Sequence, residues 1–175
     1  MRRKDLEIRD RALLSGMLDF AEILHLAIKN EPFPYVVPLN FGYEWEGDTL
    51  VFYFHCAREG MKLDLLRRDG RVTVNAAAFI SYAGRKYRGH YHDYRSVTAS
   101  GVAEEIMPDD ERFLRAHELL MAHNHREMRP EDYPVLKQIS IWQIRCKAEN
   151  VWGKAEIVPK RVSEIPFADP EKSEE

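Results

Sequence analysis

The pattern of apolar and polar positions changes its period several times along the chain and predicts three helices and a larger number of strands. Between Asp10 and Phe20 the apolar residues recur at helical spacing, which predicts a helix with one buried face. The same reasoning predicts helices at Met61–Arg68 and Met107–Met121. Segments rich in β-branched and aromatic residues predict strands, namely Ala21–Ile28, Tyr35–Tyr43, Thr49–His55, Arg71–Ile80, Tyr94–Ile106, Ile139–Cys146 and Asn150–Val158.

The clearest local structure is a predicted hairpin formed by the strands Tyr35–Tyr43 and Thr49–His55. A turn at Glu46-Gly47-Asp48 separates them, and a short glycine-containing turn between apolar runs is typical of a β-hairpin. Six or seven strands in hairpin-like succession, with three helices and no alternating strand–helix pattern, favour an antiparallel barrel over a doubly wound sheet. The predicted fold class is therefore mostly β, with peripheral helices.

Length and charge limit the possible functions. The 175 residues suffice for one domain, which we place at residues 1–158, followed by a charged tail at 159–175. A net charge of −3 gives no general reason to expect nucleic acid or an anionic membrane surface as a partner. The apolar runs are too short to span a bilayer, and Cys56 and Cys146 form no CxxC motif. We therefore expect a soluble cytoplasmic protein with reduced thiols.

A polar cluster follows the hairpin and is the first candidate for chemistry. His55, Arg58 and Lys62 lie between the end of a strand and the start of the predicted helix Met61–Arg68, where helix amide groups also favour an anion. Such an arrangement can hold the phosphate of a planar cofactor. The alternatives are a solvated helix surface for Lys62 and a strand-end hydrogen bond for His55. Glycine-rich nucleotide loops of the GxGxxG and GxxxxGK[ST] types are absent from the sequence.

Four motifs in order resemble one known family. They are an N-terminal MRRKD, the strand PYVVPLNFGY, the segment YFHCAREGMK and the later strand YRSVTASG. This combination resembles the flavin-binding split-barrel family related to pyridoxamine 5'-phosphate oxidase, and particularly the nitroimidazole-resistance proteins. The similarity covers roughly Met1 to Ile157. It implies an antiparallel split β-barrel that forms a homodimer, with FMN in grooves at the subunit interface.

The resemblance also implies which residues would contact the cofactor. It puts Pro38, Leu39 and Asn40 along the flavin ring, and it puts Phe54 and His55 on the strand that passes the cofactor. The cations Arg58, Lys62 and Arg95, with Ser96, suit phosphate because charge-assisted hydrogen bonds are the stronger ones. Trp142 completes the predicted cofactor contacts, although core packing is favoured for it and for Trp152, and either would fit a dimer seam as well as a flavin wall. His55 is the one candidate catalytic residue, as a proton donor to reduced substrate.

The function implied by the family is electron transfer through FMN to a small planar acceptor, with a nitroimidazole-type nitro compound as the sharpest candidate and NAD(P)H as a possible donor. Met61 departs from the pattern, since some members carry a histidine there, and this departure weakens the nitroreductase assignment. The alternative is a non-catalytic flavin- or haem-binding sensor or storage protein on the same barrel. Deazaflavin is a further cofactor alternative.

The segment from Ser81 to Asp93 carries cations, tyrosines and histidines between two predicted strands, and it is expected to be either a lid or a solvated loop. Two His-x-His pairs, His90 with His92 and His123 with His125, have a spacing that permits a metal ion. Neither pair has a convincing third ligand nearby in the sequence, so no metal site is predicted. Nucleic acid is not expected as a partner, given the acidic chain.

Overall fold

The computed structural model describes residues 3–83, 91–127, 129, 136, 138–155 and 161. The helices in this part of the chain are α1 (Arg11–Phe20), α2 (Met61–Arg68) and α3 (Arg112–His123). The strands, in chain order, are β1 (Glu7–Ile8), β2 (Leu24–Ile28), β3 (Tyr35–Leu39), β4 (Gly42–Glu46), β5 (Thr49–Ala57), β6 (Arg71–Ala83), β7 (Tyr91–Ile106), β8 (Ile139–Lys147) and β9 (Val151–Ala155).

Hydrogen bonding orders most strands along one path, β3-β2-β6-β7-β8-β5-β4, while β9 pairs with β1 and β7. The registered pairs, such as β2 with β3 and β5 with β8, are antiparallel. This antiparallel sheet with its three helices confirms the predicted fold class, a mostly β split barrel with peripheral helices. None of the helices in the described residues is both long and apolar enough to cross a membrane.

The predicted hairpin needs one correction. Its turn is right, because β4 and β5 pair from Glu46 opposite Thr49 across a two-residue loop. Its first strand, however, is two strands: β3 pairs with β2, and β4 pairs with β5. The chain leaves the first pairing at Asn40 because the next side chain, Phe41, is fully buried against Phe52 and the ring of His123. A single apolar run therefore supplies strands to both ends of the path.

Helix α3 starts later than the sequence pattern predicted. The segment from Met107 forms a turn first, in which the Asp110 carboxylate accepts hydrogen bonds from the backbone and the guanidinium of Arg112. These bonds satisfy a donor at the helix start and hold the preceding residues out of the helix. By contrast, Asp10 caps α1 by accepting from the backbone N–H of Leu13 at 2.9 Å.

The predicted loop from Ser81 to Asp93 is shorter than expected. Strand β6 continues to Ala83 and β7 already begins at Tyr91, so both ends of that segment are strand. Residues 84–90, including His90, lie outside the described residues. The tail beyond Pro159 lies outside them as well, apart from Arg161, so the boundary at residues 158 and 159 stays a prediction.

Contacts divide the chain into two compact units. The first comprises Met1–Ala21, Ala76–Val97 and Trp152–Glu175. In it β1 pairs with β9, and α1 lies so close to this pair that a Cβ on Gly153 would be 2.9 Å from the Leu14 side chain. The absence of a side chain at Gly153 is therefore what allows this close approach.

The second unit comprises Glu22–Asn75 and Thr98–Val151. Strand β5 in this unit runs between β8 and β4. One face of β5 contributes Val51 and Tyr53 to an apolar cluster with Ile106, Phe113, Ala116, Leu136 and Ile141. This cluster fastens α3 to the sheet. The other face of β5 carries the candidate site.

Candidate functional site

Side chains along β5 alternate between two faces, as they do in any strand. We call the side that carries Phe52, Phe54 and Cys56 the α2 face, and the side that carries Val51, Tyr53 and His55 the α3 face. The assignment rests on contacts, since the Lys62 ammonium of α2 lies over the Phe54 ring and His55 stacks on His117 of α3. Phe54 and His55, both predicted cofactor contacts, therefore point to opposite faces of the sheet.

Two aromatic rings form the floor of the α2 face. Phe54 and Trp142 are opposite each other in the β5–β8 register, and their rings stack at 6.4 Å with 16° between the planes. Both residues are buried, with exposed fractions of 0% and 2%. The Lys62 ammonium lies 5.4 Å from the Phe54 ring centre, a cation–π contact. A bound molecule would touch these two rings only if the side chains that cover them moved.

A polar cluster stands beside this floor. Trp142 Nε1 donates to Ser140 Oγ at 3.1 Å, and Ser140 Oγ donates a very short hydrogen bond to Glu105 Oε1. The other carboxylate oxygen of Glu105 accepts from Arg67 Nη2 at 3.1 Å. We call Arg67, Glu105 and Ser140 the Glu105 cluster. It joins α2, β7 and β8, three elements that are distant in the sequence.

The environment keeps Glu105 ionised. Burial disfavours its charged form, but the hydrogen bonds from Ser140 and Arg67, with the positive charges of Arg67 and Arg58, outweigh that effect and lower the pKa of Glu105. The carboxylate therefore remains negative throughout the neutral pH range. It can accept hydrogen bonds there and attract cations, but it cannot donate a proton.

A cleft of about 290 Å³ opens next to the Glu105 cluster. Its polar lining consists of the Glu105 cluster and Arg58, and its apolar lining comes from the end of β7 and the turn after it, with Phe113 and Ile139. Met107, at the rim, is 57% exposed. A cleft with two guanidinium groups at one side and an apolar wall at the other suits an amphiphilic anion.

Cys56 links Lys62 to this cleft. It lies opposite Ser140 in the β5–β8 register and is half-buried. Burial raises the pKa of the Cys56 thiol, while the charge and hydrogen bond of Lys62 and the charge of Arg67 act in the opposite direction. The thiol thus lies within the field of both cations. Cys146, the second cysteine of the chain, is fully buried, and burial raises its pKa to about 12.

Of the predicted phosphate ligands, Arg58 shares the cleft with Arg67, Glu105 and Ser140, three residues that the sequence pattern did not single out. Lys62 lies over Phe54 and acts on Cys56, which is opposite Ser140. Gly60 directly precedes α2, its φ of 130° is a conformation for glycine, and no side chain caps the helix. The cations and the amide groups at this helix start can hold a phosphate group.

His55 lies on the other side of the strand. Its ring stacks on the buried His117 ring at 5.7 Å with 24° between the planes. Its side chain is largely exposed, yet surrounding protein atoms, and secondly the charge of Lys62, lower the pKa of His55. A lowered pKa leaves the imidazole neutral at pH 7. The role of His55 as a proton donor stays a prediction, and the neutral ring makes it a weaker donor.

The remaining predicted contacts are spread over other elements. Pro38 and Asn40 are exposed and Leu39 is half-buried, at the end of β3. The Asn40 side chain donates to Asn124 Oδ1 at 2.8 Å, which connects it to the end of α3. As cofactor contacts, these three residues stay predictions.

Arg95 and Ser96 belong to the first unit. Arg95 is buried, with 6% of its surface exposed, and Ser96 is half-buried. Their neighbour Tyr94 packs under the Lys154 ammonium at 5.2 Å. Their predicted roles in binding phosphate are not tested by this geometry.

The histidine pairs show no ligand cluster in the part of the chain that the structure describes. His123 packs on Phe41, with ring centres 4.2 Å apart, and His125 follows α3 with a φ of 55°. No group of three or more potential metal ligands occurs among these described residues.

A second concavity lies on another part of the second unit. It is a groove of about 560 Å³ across strands β2, β6 and β7, with Ala27, Thr73, Ser100 and Val102 in its wall. Val102 is 45% exposed, and Val36, which pairs with Ala27, is 56% exposed. This surface combines small, hydroxyl and exposed apolar side chains.

Comparison with known proteins agrees with the fold. Residues 10–151 match the family model described as pyridoxamine 5'-phosphate oxidase. A crystal structure of a candidate 5-nitroimidazole antibiotic resistance protein from Bacteroides thetaiotaomicron is 25% identical, covers 85% of this chain and 86% of its own, and superimposes with a TM-score of 0.71. No curated protein matches the sequence significantly.

Two further solved structures share the fold at lower identity. The FAD and heme binding protein from Mycobacterium smegmatis is 20% identical, covers 91% of this chain and 78% of its own, and has a TM-score of 0.63. The flavocytochrome Anf3 from Azotobacter vinelandii is 18% identical, covers 95% of this chain and 78% of its own, and has a TM-score of 0.61.

Proposed function

The chain belongs to the pyridoxamine 5'-phosphate oxidase family, and from that premise we propose that it binds FMN and uses it to reduce a small planar acceptor. The observation that carries the proposal is the group of cations around the start of α2, where Arg58 and Arg67 line one cleft with Glu105, and Lys62 acts on the neighbouring Cys56.

Charge favours a phosphate monoester at this site. Arg58, Lys62 and Arg67 each carry a positive charge, and a phosphate monoester carries about −1.5 to −2 charges at neutral pH. FMN ends in such a group, riboflavin has none, and FAD carries a diphosphate diester in its place. Arg58 is exposed and Lys62 is half-buried, so both side chains can reach an incoming anion. The donor set therefore fits FMN best among the flavins.

When bound, the flavin supplies hydride or single-electron transfer. The residues of this chain would bind and orient it: Arg58 and Lys62 would hold the phosphate, and the apolar wall of the cleft would exclude water beside it. His55 would act as the proton donor only if the acceptor approached the α3 face. No step requires a nucleophilic side chain.

The acceptor proposed here is a nitro-substituted planar ring, by analogy with the Bacteroides relative. NAD(P)H is the proposed electron donor. The second candidate function is a flavin- or haem-binding protein without turnover, which the flavin- and haem-binding relatives favour. Deazaflavin stays an alternative cofactor. We also propose a cytoplasmic location, because a reducing compartment suits the free thiols of Cys56 and Cys146.

A homodimer is part of the same proposal, since the family resemblance puts the cofactor between two copies. The groove across β2, β6 and β7, with exposed Val36 and Val102 beside it, is the surface we propose for the contact, because exposed apolar side chains are costly in a monomer. Light scattering should give twice the mass of the chain, and Val102→Lys should give the monomer. A monomeric wild-type protein would contradict this part.

The first experiment is an absorption spectrum of the purified protein with and without added FMN. Bands near about 375 and 450 nm indicate flavin, whereas a strong Soret band would favour haem. Titration should then show that Arg58→Ala with Lys62→Ala weakens FMN binding about a hundredfold, because two charge-assisted hydrogen bonds are lost. Riboflavin binding should change less than about twofold.

The matched control is Arg68→Ala, an exposed cation on the same helix, which should leave FMN binding unchanged. Equal losses for FMN and riboflavin would contradict the phosphate assignment. For turnover, NAD(P)H should bleach the flavin bands and a nitroimidazole should restore them. Tight flavin retention without reoxidation by any small acceptor would instead support the non-catalytic candidate.

A further inference from the structure

In the Glu105 cluster, a carboxylate stands among the cations of a proposed anion site. Glu105 accepts from Arg67 at 3.1 Å and from Ser140, and with Arg58 these residues line one cleft. The ion pair between Glu105 and Arg67 engages an arginine that lies beside the proposed phosphate ligands.

We propose that Glu105 sets the strength of anion binding at this cleft, by holding Arg67 in the free chain and by repelling an incoming phosphate. The inference rests on the proposed function, since it concerns the same phosphate site. Arg58 and Lys62 would bind the phosphate first. Arg67 would then release the Glu105 carboxylate and donate to a phosphate oxygen instead. Glu105 is then a positioning residue, since it acts through Arg67.

The contacts around Glu105 suit this role. Arg67 is 48% exposed and Glu105 is 29% exposed in their ion pair, so the pair is open to solvent and costs little to separate. Ser140 holds the other carboxylate oxygen, so Glu105 stays in place when Arg67 leaves it. The lowered pKa of Glu105 keeps its negative charge present at neutral pH.

A built-in carboxylate has a consequence for occupancy. Its charge weakens the binding of every phosphate ligand by a similar factor, so the ratio of their affinities stays the same. Free phosphate then leaves the cleft mostly empty, whereas a flavin phosphate, which also gains affinity from its ring, still binds.

The test compares Glu105→Gln with Glu104→Gln in titrations of FMN, riboflavin and inorganic phosphate. Glu104 is adjacent in sequence and exposed, and it accepts from Gln143 on the opposite face of the sheet, so the control removes the same charge. Glutamine keeps an oxygen that can accept from Ser140. Glu105→Gln should bind FMN about fivefold more tightly, and riboflavin within about twofold of wild type. Glu104→Gln should change neither.

A second variant tests the exchange itself. In an Arg67→Met background the gain from Glu105→Gln should shrink from about fivefold to about twofold, because only direct repulsion is left to remove. A third readout is the Cys56 thiol, whose alkylation should be blocked at a lower concentration of inorganic phosphate in Glu105→Gln than in wild type. Cys146 is fully buried and does not contribute to the labelling.

The results separate two failures. If wild-type protein binds FMN no better than riboflavin, the phosphate site of the proposed function fails and this inference falls with it. The other failure concerns Glu105 alone. It occurs if the double variant Arg58→Ala with Lys62→Ala weakens FMN binding as expected, but folded Glu105→Gln binds FMN no more tightly than wild type. An undiminished gain in the Arg67→Met background would overturn the exchange at Arg67.

Discussion

The two faces of strand β5 put neighbouring residues to opposite uses. On the α3 face, Tyr53 is 1% exposed, and its hydroxyl donates to Glu44 at 2.8 Å within an apolar cluster. On the α2 face, buried Phe54 underlies Lys62 and half-buried Cys56. Both faces have an aromatic layer at the sheet. They differ in what covers it, since an apolar helix face covers one side, whereas a short cationic helix with a cleft beside it covers the other.

The polar groups of the two faces therefore have different roles. Tyr53 and Glu44 satisfy each other, as buried polar groups must, and nothing in that pair offers a site to a ligand. The Glu105 cluster is also hydrogen-bonded, but its arginine is half-exposed at a cleft. Variants on the α3 face should therefore change stability, and variants on the α2 face should change ligand binding.

The largest effects are expected from alanine substitutions at two glycines, Gly42 beside α3 and Gly60 at the start of α2. A Cβ on Gly42 of β4 would lie 2.5 Å from the Leu120 nitrogen of α3, so Gly42→Ala should lower the free energy of unfolding by about 3 kcal/mol without changing the FMN affinity of the folded protein. Gly60 has open space around it but a φ of 130°. Gly60→Ala should therefore lower the free energy of unfolding by about 2 kcal/mol, and it should weaken FMN binding because it disturbs the start of α2. Urea unfolding and FMN titration test both. Weaker FMN binding in folded Gly42→Ala would show that the α3 face also contributes to ligand binding.

A smaller effect is expected for Lys62→Met, which removes the ammonium and keeps an apolar stem over Phe54. FMN binding should weaken about tenfold, while the unfolding midpoint should barely change. Because Lys62 acts to lower the pKa of the Cys56 thiol, the variant should also be alkylated more slowly at that cysteine. Arg68→Met is the control. An unchanged FMN affinity would remove Lys62 from the site.

The smallest effect concerns His55 and the pH dependence of stability. The folded-state pKa of His55 lies below the ordinary 6.5, so acid protonates the unfolded chain first and stability is lost as pH falls from about 6.5 towards the folded-state pKa. His55→Asn removes that contribution. The loss of the urea midpoint between about pH 7.5 and about pH 5 should therefore be slightly smaller in the variant. An identical loss in both proteins would show that His55 does not contribute.

Several features were predictable because they depend on neighbouring residues alone. Apolar periodicity identified α1 and α2, and the glycine turn before Thr49 identified the β4–β5 hairpin. The cations Arg58 and Lys62 were identified from their position at the start of a helix. Family motifs then gave the fold class, which the structure and the family match confirm.

Other features depended on which distant strands pair. The break at Asn40 follows from the burial of Phe41 against α3, and no local pattern marks it, since the apolar run continues without interruption. The late start of α3 follows from a side-chain bond between Asp110 and Arg112, which competes with helix formation. Periodicity alone cannot weigh such a bond.

Sequence patterns were therefore enough to predict the kinds of elements and the antiparallel class, and the phosphate role of Arg58 and Lys62 stays a prediction. The folded chain settled that Phe54 and His55 point to opposite faces, and that Glu105, Ser140 and Arg67 meet beside Arg58. The physical reason is distance along the chain. Helix periodicity and turn preference arise within a few residues, whereas the register of β7 and β8 with β5 joins residues tens of positions apart and is settled only when the whole sheet packs.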